Sequence, residues 1–273
     1  MADDRRWAVI TGASSGIGAE LARVFAGKGY SLVITARRHE RLEALAEQIL
    51  AAHKVEVEIM ALDLEDRDSP EDLFEMLRDR GIRVHTLVNN AGFGLRGNFA
   101  TLPYERQLAM IDLNVRALTA LTRLLLPGML ERGEGGILNV ASTAAFQPGP
   151  HMAVYYATKA FVLSLSEALH EEAKPHGVTV TALCPGSTET EFSATADVEY
   201  SRSVRPSVMS AAEVARIGVE GYEAGRDVVV PGGVNRLGAL GAKILPRRIV
   251  RRISSRLQRG EAPNPEDGAD GKA

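Results

Sequence analysis

The sequence predicts a single doubly wound α/β domain, built on a seven-stranded parallel sheet with helices on both faces. Short apolar runs alternate with longer amphipathic segments from near residue 6 to near residue 230, the rhythm of strand–helix–strand units. Several of the short runs are almost wholly apolar, as parallel strands covered on both faces have to be. The first run leads straight into the stretch Thr11-Gly12-Ala13-Ser14-Ser15-Gly16-Ile17-Gly18, with a helical segment behind it.

Taken in order, the first strand is the apolar run 7–11, and the helix at 16–26 follows its glycine turn. A second strand at 31–36 ends in Arg37 and Arg38, from which an amphipathic helix runs over 38–52. The strand at 55–62 leads to Asp63 and Leu64 and then to a helix at 70–80. The fourth strand, 86–89, closes on Asn89-Asn90-Ala91-Gly92, and one long amphipathic helix is expected over 103–130. Strands at 137–141 and 178–183 flank a helix at 154–173, and a helix at 211–223 precedes a last short strand at 228–230. Residues 188–210 have weak periodicity and many Ser, Thr and charged residues, which predicts a long loop of the kind that acts as a lid. One domain is therefore expected over 1–235, followed by a basic extension at 236–260. Residues 261–273, polar and rich in Gly, Pro and Asp, are expected to be disordered.

Composition narrows the function. With 273 residues, 45% hydrophobic and 25% charged, the chain matches an ordinary globular protein rather than a disordered, collagenous or disulfide-rich one. Its one cysteine, Cys184, can neither close an internal disulfide nor build a thiolate zinc site, so a reducing cytoplasm is the expected compartment. After Met1-Ala2-Asp3-Asp4-Arg5-Arg6 the chain enters its first strand, and no apolar stretch has the length of a signal peptide or membrane span. The net charge of −3 conceals an asymmetry: from Arg236 onward nine Lys and Arg face four Asp and Glu, against 23 and 31 before it. The body lacks the basic stripe with interleaved aromatics that marks nucleic-acid binding, so no nucleic-acid partner is expected. His53, His85 and His176 lack ligand spacing, and no metal is expected. His151 reads as loop surface.

The glycine stretch carries the first chemistry. Gly12 permits a tight turn, Gly16 lets the backbone approach a pyrophosphate, and Gly18 allows close helix packing, while Ser14, Ser15 and Ile17 lie along the helix amino terminus. The spacing is G-x-x-x-G-x-G rather than the general G-x-G-x-x-G fingerprint. At the end of the second strand, where a ribose-binding carboxylate marks NAD, stand Arg37 and Arg38. Their guanidinium groups suit a 2′-phosphate, which makes NADP(H) the expected cofactor.

A second constellation is Tyr155-Tyr156-Ala157-Thr158-Lys159, with Ser142 thirteen residues before Tyr155. Together with Thr11 to Gly18, Asp63-Leu64, Asn89 to Gly92, Asn114 and Pro185-Gly186, in that order over roughly residues 6–235, it makes the chain resemble the short-chain dehydrogenase/reductase family. The stretch at 90–95 and the long C-terminal extension are more similar to a bacterial branch that resembles 17β-hydroxysteroid and long-chain 3-oxoacyl reductases. Val228-Val229-Val230-Pro231-Gly232-Gly233 lacks the closing Asp-Gly-Gly of the simpler acyl-carrier-protein reductases. The resemblance implies a Rossmann-type sheet, oxidoreductase activity, and a homodimer or homotetramer joined through the helices at 103–130 and 154–173. It also implies a catalytic set of Asn114, Ser142, Tyr155 and Lys159. Cofactor contacts are implied from Asp63, Leu64, Asn90, Ala91, Gly92, Pro185, Gly186, Thr188 and Thr190, and from Tyr155 and Lys159.

The chemistry is intelligible apart from the name. Tyr155 and Lys159, four apart on a helix, share one face. A free phenol ionises near pH 10, too high for ready proton exchange at neutrality, and an adjacent ammonium favours the phenolate. By the resemblance, Lys159 also bonds the nicotinamide ribose, Ser142 orients the substrate oxygen, and Asn114 holds a water of the proton relay. Tyr156 has no lysine four residues on and is expected to pack or to line the interface. Cys184 is expected to be a buried small residue rather than a nucleophile.

Phe93, Phe146, Met152 and Phe192 follow strand ends or lie in the lid segment, so they are the expected pocket for a small-molecule apolar ketone or 3-oxoacyl substrate. In the extension, Ile249, Ile253 and Leu257 recur every four residues among Arg248, Arg251, Arg252, Arg256 and Arg259, predicting a basic amphipathic helix. It lies either on an anionic membrane surface, as peripheral contact, or with its stripe docked on the acidic body of its own or a partner subunit. Competing readings are an NAD-linked alcohol dehydrogenase and a non-catalytic NADP(H)-binding sensor or membrane-recruited module.

Overall fold

In the computed structural model, which describes residues 5–191 and 208–258 (backbone alone for 256–258), the strand runs become β1 (Trp7–Thr11), β2 (Ser31–Ala36), β3 (Val57–Ala61), β4 (Val84–Asn89), β5 (Gly136–Val140) and β6 (Thr179–Leu183). Two-residue strands β7 (Thr188–Glu189) and β8 (Met209–Ser210) pair with each other, and β9 (Val228–Val229) completes the main sheet. That sheet has seven parallel strands in the order β3-β2-β1-β4-β5-β6-β9. The order reverses between β1 and β4, which opens a crevice at the carboxyl ends of those strands.

The helices are α1 (Gly16–Gly27), α2 (His39–Ala52), α3 (Ser69–Asp79), α4 (Tyr104–Ile111), α5 (Leu118–Arg132), α6 (Ala153–Ala173), α7 (Ala211–Glu223), α8 (Gly233–Ile244) and α9 (Arg247–Gln258). They cover both sheet faces because successive strand residues point to opposite sides. Ala8 and Ile10 of β1 pack with Leu21, Phe25, Leu42 and Val219, while Trp7 and Val9 pack with Leu73, Leu121 and Met129 on the other side. Both sets are buried, which is why β1 reads as one apolar run.

A polar seam crosses this core. The Asn89 amide donates to Asn139 Oδ1 at 2.9 Å and to Thr122 Oγ1 at 3.1 Å. Asn139 in turn donates to Ser166 Oγ at 2.9 Å, so β4 and β5 are tied to α5 and α6. Burial makes each of these bonds costly to lose.

Two expectations are corrected. The single helix at 103–130 is broken: α4 passes into a π-helical stretch, Asp112–Ala117, before α5 begins, and such π segments are common at functional sites. The strand at 55–62 contracts to β3, a partly exposed edge strand. The basic amphipathic helix expected from Ile249, Ile253 and Leu257 forms as α9, and ahead of it stands an unexpected helix, α8, which ends before Pro246 because proline lacks the N–H a continuous helix needs. Phe192, most of the expected lid and the tail from 259 onward lie outside the described residues.

Candidate active site

The glycine turn has the backbone its residues allow. Gly12 and Gly16 sit at φ +67° and +56°, where side chains are disfavoured. A Cβ on Gly18 would stand 2.3 Å from the Gly12 carbonyl oxygen, and one on Gly16 would stand 3.0 Å from Thr190 Cγ2. The end of β4 fastens the turn: Asn90 Nδ2 donates to the carbonyl oxygens of Thr11 (2.9 Å) and Gly12 (3.2 Å). The Asn90 and Ala91 N–H groups donate to Thr11 Oγ1. Ser15, the N-cap of α1, makes no side-chain bond to its own helix. Crowded glycines beside an uncapped helix start form a cradle that fits a dinucleotide pyrophosphate.

The two arginines behave differently. Arg38 donates from Nη2 to Ser14 Oγ and Ser15 Oγ, each at 2.9 Å, and from Nη1 to Glu191 Oε2 at 2.8 Å. Arg37 instead pairs with Glu65 at 3.0 Å and Asp63 at 3.8 Å. Glu191 also pairs with Arg41, and hydrogen bonds from Arg41 and Arg38 pull its carboxyl down to about 2. Asp63 accepts from the Glu65 N–H at 3.0 Å and Leu64 is buried.

At the other end, Ser142 follows β5, accepts from the Ala144 N–H at 3.1 Å and caps the short 3₁₀ turn Thr143–Phe146. Tyr155 and Lys159 lie on the first turns of α6. Lys159 Nζ donates to the Val140 carbonyl oxygen at 2.7 Å and lies 6.0 Å from the Tyr155 ring centroid. Complete burial lowers this lysine to about 8. Asn114, on the π segment, donates to the Phe93 carbonyl oxygen (3.0 Å) and to Thr158 Oγ1 (3.1 Å), and accepts from the Phe93 N–H (3.1 Å). A Cβ on Gly92 would stand 2.9 Å from Asn114 Oδ1 and 3.5 Å from Lys159 Nζ, so Gly92 is the gap between those two polar groups.

One cleft of about 460 Å³ joins both ends. It is lined by Gly12, Ser14 to Gly18, Arg37, Arg38, Asp63, Leu64, Asn90 to Phe93, Ser142, Met152, Tyr155, Lys159, Pro185, Gly186, Thr188 and Thr190. Asn114 stands one layer behind Gly92 and Phe93. Phe146 is corrected: it turns away from the cleft, packs beside Val162 and Leu163, and lies under the Lys243 ammonium. Tyr156 packs edge-on to Tyr155 with centroids 6.1 Å apart and also reaches the cleft, as do Leu113, Ala144, Gln147 and Glu191, none of which had a spacing to single it out. Cys184 is a buried thiol pushed up to about 12 by burial. Among the described residues no three His, Cys, Asp or Glu side chains gather as a metal-binding group.

Residues 6–200 match the short chain dehydrogenase family. The chain is 45% identical over 185 residues to a sulfoacetaldehyde reductase of Chromohalobacter salexigens, covering 67% of this chain and 72% of that one. It is 33% identical to a very-long-chain 3-oxoacyl-CoA reductase of Anas platyrhynchos, covering 78% and 69%. A short-chain dehydrogenase from Sphingobium yanoikuyae in complex with NADPH superposes with a TM-score of 0.78 at 36% identity, covering 86% and 92% of the two chains. The chain belongs to the short-chain dehydrogenase/reductase family and is an oxidoreductase acting on carbonyl and alcohol groups.

Proposed function

We propose that the protein is an NADPH-dependent carbonyl reductase working on an apolar ketone or 3-oxoacyl substrate. The observation that carries this reading is the continuity of one cleft from Arg37 and Arg38 to Ser142, Tyr155 and Lys159. The glycine turn and the α1 amino terminus hold the pyrophosphate, and Arg38 with Arg37 takes the 2′-phosphate. Thr188, Thr190, Pro185 and Gly186 border the nicotinamide, and Asp63 and Leu64 border the adenine. A reduced nicotinamide bound there supplies hydride to the carbonyl carbon.

The chain's own groups manage the oxygen and the proton. Ser142 and Tyr155 hold the carbonyl oxygen, and the Tyr155 hydroxyl gives it a proton. The Lys159 ammonium stabilises the phenolate left behind. Asn114, with both polar ends engaged, fixes the Phe93 backbone and Thr158, which bears on Tyr155 through the bond from Thr158 Oγ1 to the Tyr155 carbonyl oxygen at 2.7 Å.

Around Tyr155 the cleft presents Phe93, Leu113, Ala144, Met152 and Tyr156, an apolar wall that favours an apolar carbonyl. Among the described residues lining this end, Lys159 alone is cationic, which disfavours a small sulfonated or carboxylated aldehyde. Phe99, Tyr104, Leu108 and Ile111 by α4, with Phe161 on α6, are exposed and support a homo-oligomer formed through those helices. The buried thiol of Cys184 accords with work in a reducing cytoplasm.

The test follows absorbance of reduced nicotinamide with NADPH and with NADH across apolar ketones, 3-oxoacyl thioesters and sulfoacetaldehyde, beside Tyr155→Phe. Turnover of apolar carbonyls with NADPH, lost in the variant, is expected. Preference for NADH or for sulfoacetaldehyde overturns the corresponding half of the reading. NADPH binding without turnover of any carbonyl favours the sensor.

A further inference from the structure

We propose that α8 and α9 form a peripheral docking surface for an anionic lipid bilayer, set beside the substrate end of the cleft. Leu237 and Ile244 are each 72% exposed and Val234 is 67% exposed, with Leu240 also outside. At 100° per residue these four share one side of α8, whereas Ala239 is buried on another side. On α9, Val250 and Ser254 are buried while Ile249 and Ile253 are exposed. One side of the helix is thus covered, and the Ile249–Ile253 stripe, one of whose two expected dispositions was on the body, is exposed.

The rest of the surface is cationic. Arg247, Arg248, Arg251 and Arg252 are exposed beside these apolar side chains, Arg236 and Lys243 flank them from the body side of α8, and no Asp or Glu occurs between 234 and 258. Apolar anchors ringed by arginine match an interface of acyl chains beneath anionic headgroups. No helix among the described residues is long and apolar enough to cross a membrane, so the contact is peripheral. A second copy is the poorer occupant, because a two-fold contact through this face would set cation against cation. The exposed apolar residues of α4 and α6 give such a copy a separate seat.

The position gives the contact a use. Lys243 lies 5.3 Å from the Phe146 ring centroid, on the turn that follows Ser142. A Cβ on Gly186, in the cleft wall, would stand 2.4 Å from Asn235 Oδ1 of α8. Docking through the outward face of α8 therefore holds the substrate end of the cleft about one helix diameter from the bilayer, where an apolar substrate is dissolved. The use rests on the proposed reductase function, but the docking is tested without turnover.

The experiment is co-sedimentation of the full chain with vesicles of phosphatidylcholine alone or mixed with phosphatidylglycerol, at low and high salt. Binding to the anionic vesicles at least tenfold above the neutral ones, weakened by salt, is expected. Leu237→Asp/Ile244→Asp should lose on the order of tenfold or more of it, and Arg248→Glu/Arg251→Glu a similar factor. All four side chains are exposed, and an unchanged thermal midpoint certifies the fold. Absence of vesicle binding, or equal binding by wild type and both variants, overturns the proposal. So does dissociation of an oligomer by Leu237→Asp/Ile244→Asp without vesicle binding by the wild type, which assigns the face to a second copy.

Discussion

Lys159 Nζ donates to the carbonyl oxygen of Val140 at 2.7 Å, which links α6 to the strand end that leads to Ser142. The ammonium is buried and its ionisation falls from 10.5 to about 8. Between these values the unfolded chain binds more protons than the folded one, so this lysine's contribution to stability rises with pH across that window. Below about pH 8 the buried cation costs up to roughly 3 kcal/mol relative to the neutral amine. Urea unfolding of wild type and Lys159→Met near pH 7 and pH 10 should show the wild type gaining on the variant at the higher pH. A difference that stays flat would refute the shift. NADPH-dependent turnover should also decline above about pH 8, as the charge beside Tyr155 is lost.

Gly92 separates Asn114 Oδ1 from Lys159 Nζ, and an added methyl would meet the first at 2.9 Å. Backbone φ is ordinary at this glycine, so space rather than strain limits it. Gly92→Ala should lower kcat on the order of tenfold or more by displacing the Asn114 amide from Phe93 and Thr158, at a stability cost of about 1–3 kcal/mol. Steady-state rates beside a melting curve check this. Normal kcat in the variant would show that the gap carries no function.

Arg38 is braced by Ser14 and Ser15, whereas Arg37 is occupied by Glu65. Arg38→Ala should therefore weaken NADPH binding more than Arg37→Ala, by on the order of tenfold or more, with NADH binding little changed. Glu191 holds Arg38 with a carboxylate where a phosphate dianion would compete, so Glu191→Gln should tighten NADPH several-fold and leave NADH alone. Fluorescence titration of the four enzymes decides. Equal losses from both arginines would mean that they share the phosphate. Arg37→Asp should shift preference toward NADH.

Much of this was legible in the sequence because its causes are local. The apolar runs marked the strands since both sheet faces are covered, and the glycine turn and the Tyr155–Lys159 pair announced themselves by fixed spacing. Phe146 was misread because its direction is set by the 3₁₀ turn after Ser142, which no periodicity reports. The π segment at 112–117 was invisible because it keeps the amphipathic rhythm of its neighbours. Glu191 was missed because its partners, Arg38 and Arg41, are about 150 residues away in sequence. Asn139 was hidden inside an apolar run, where a polar residue acquires meaning only from the strand beside it.

That residue supplies the last prediction. Asn139 lies opposite Asn89 in the β4–β5 register, and it is the acceptor for one Asn89 proton and the donor to Ser166. Asn139→Ala removes both bonds inside a fully buried seam, and should cost about 2–4 kcal/mol from the unpaired Asn89 proton and the small cavity. Asn139→Asp should cost at least as much, because it keeps the acceptor but buries a charge and loses the donor to Ser166. The seam lies just before Asn90 beyond β4 and Ser142 beyond β5, so loosening it should also lower kcat more than it raises KM. Chemical unfolding of the two variants, with initial rates at saturating NADPH, tests both parts. A variant destabilised but fully active would mean that the seam holds the sheet without aligning the site.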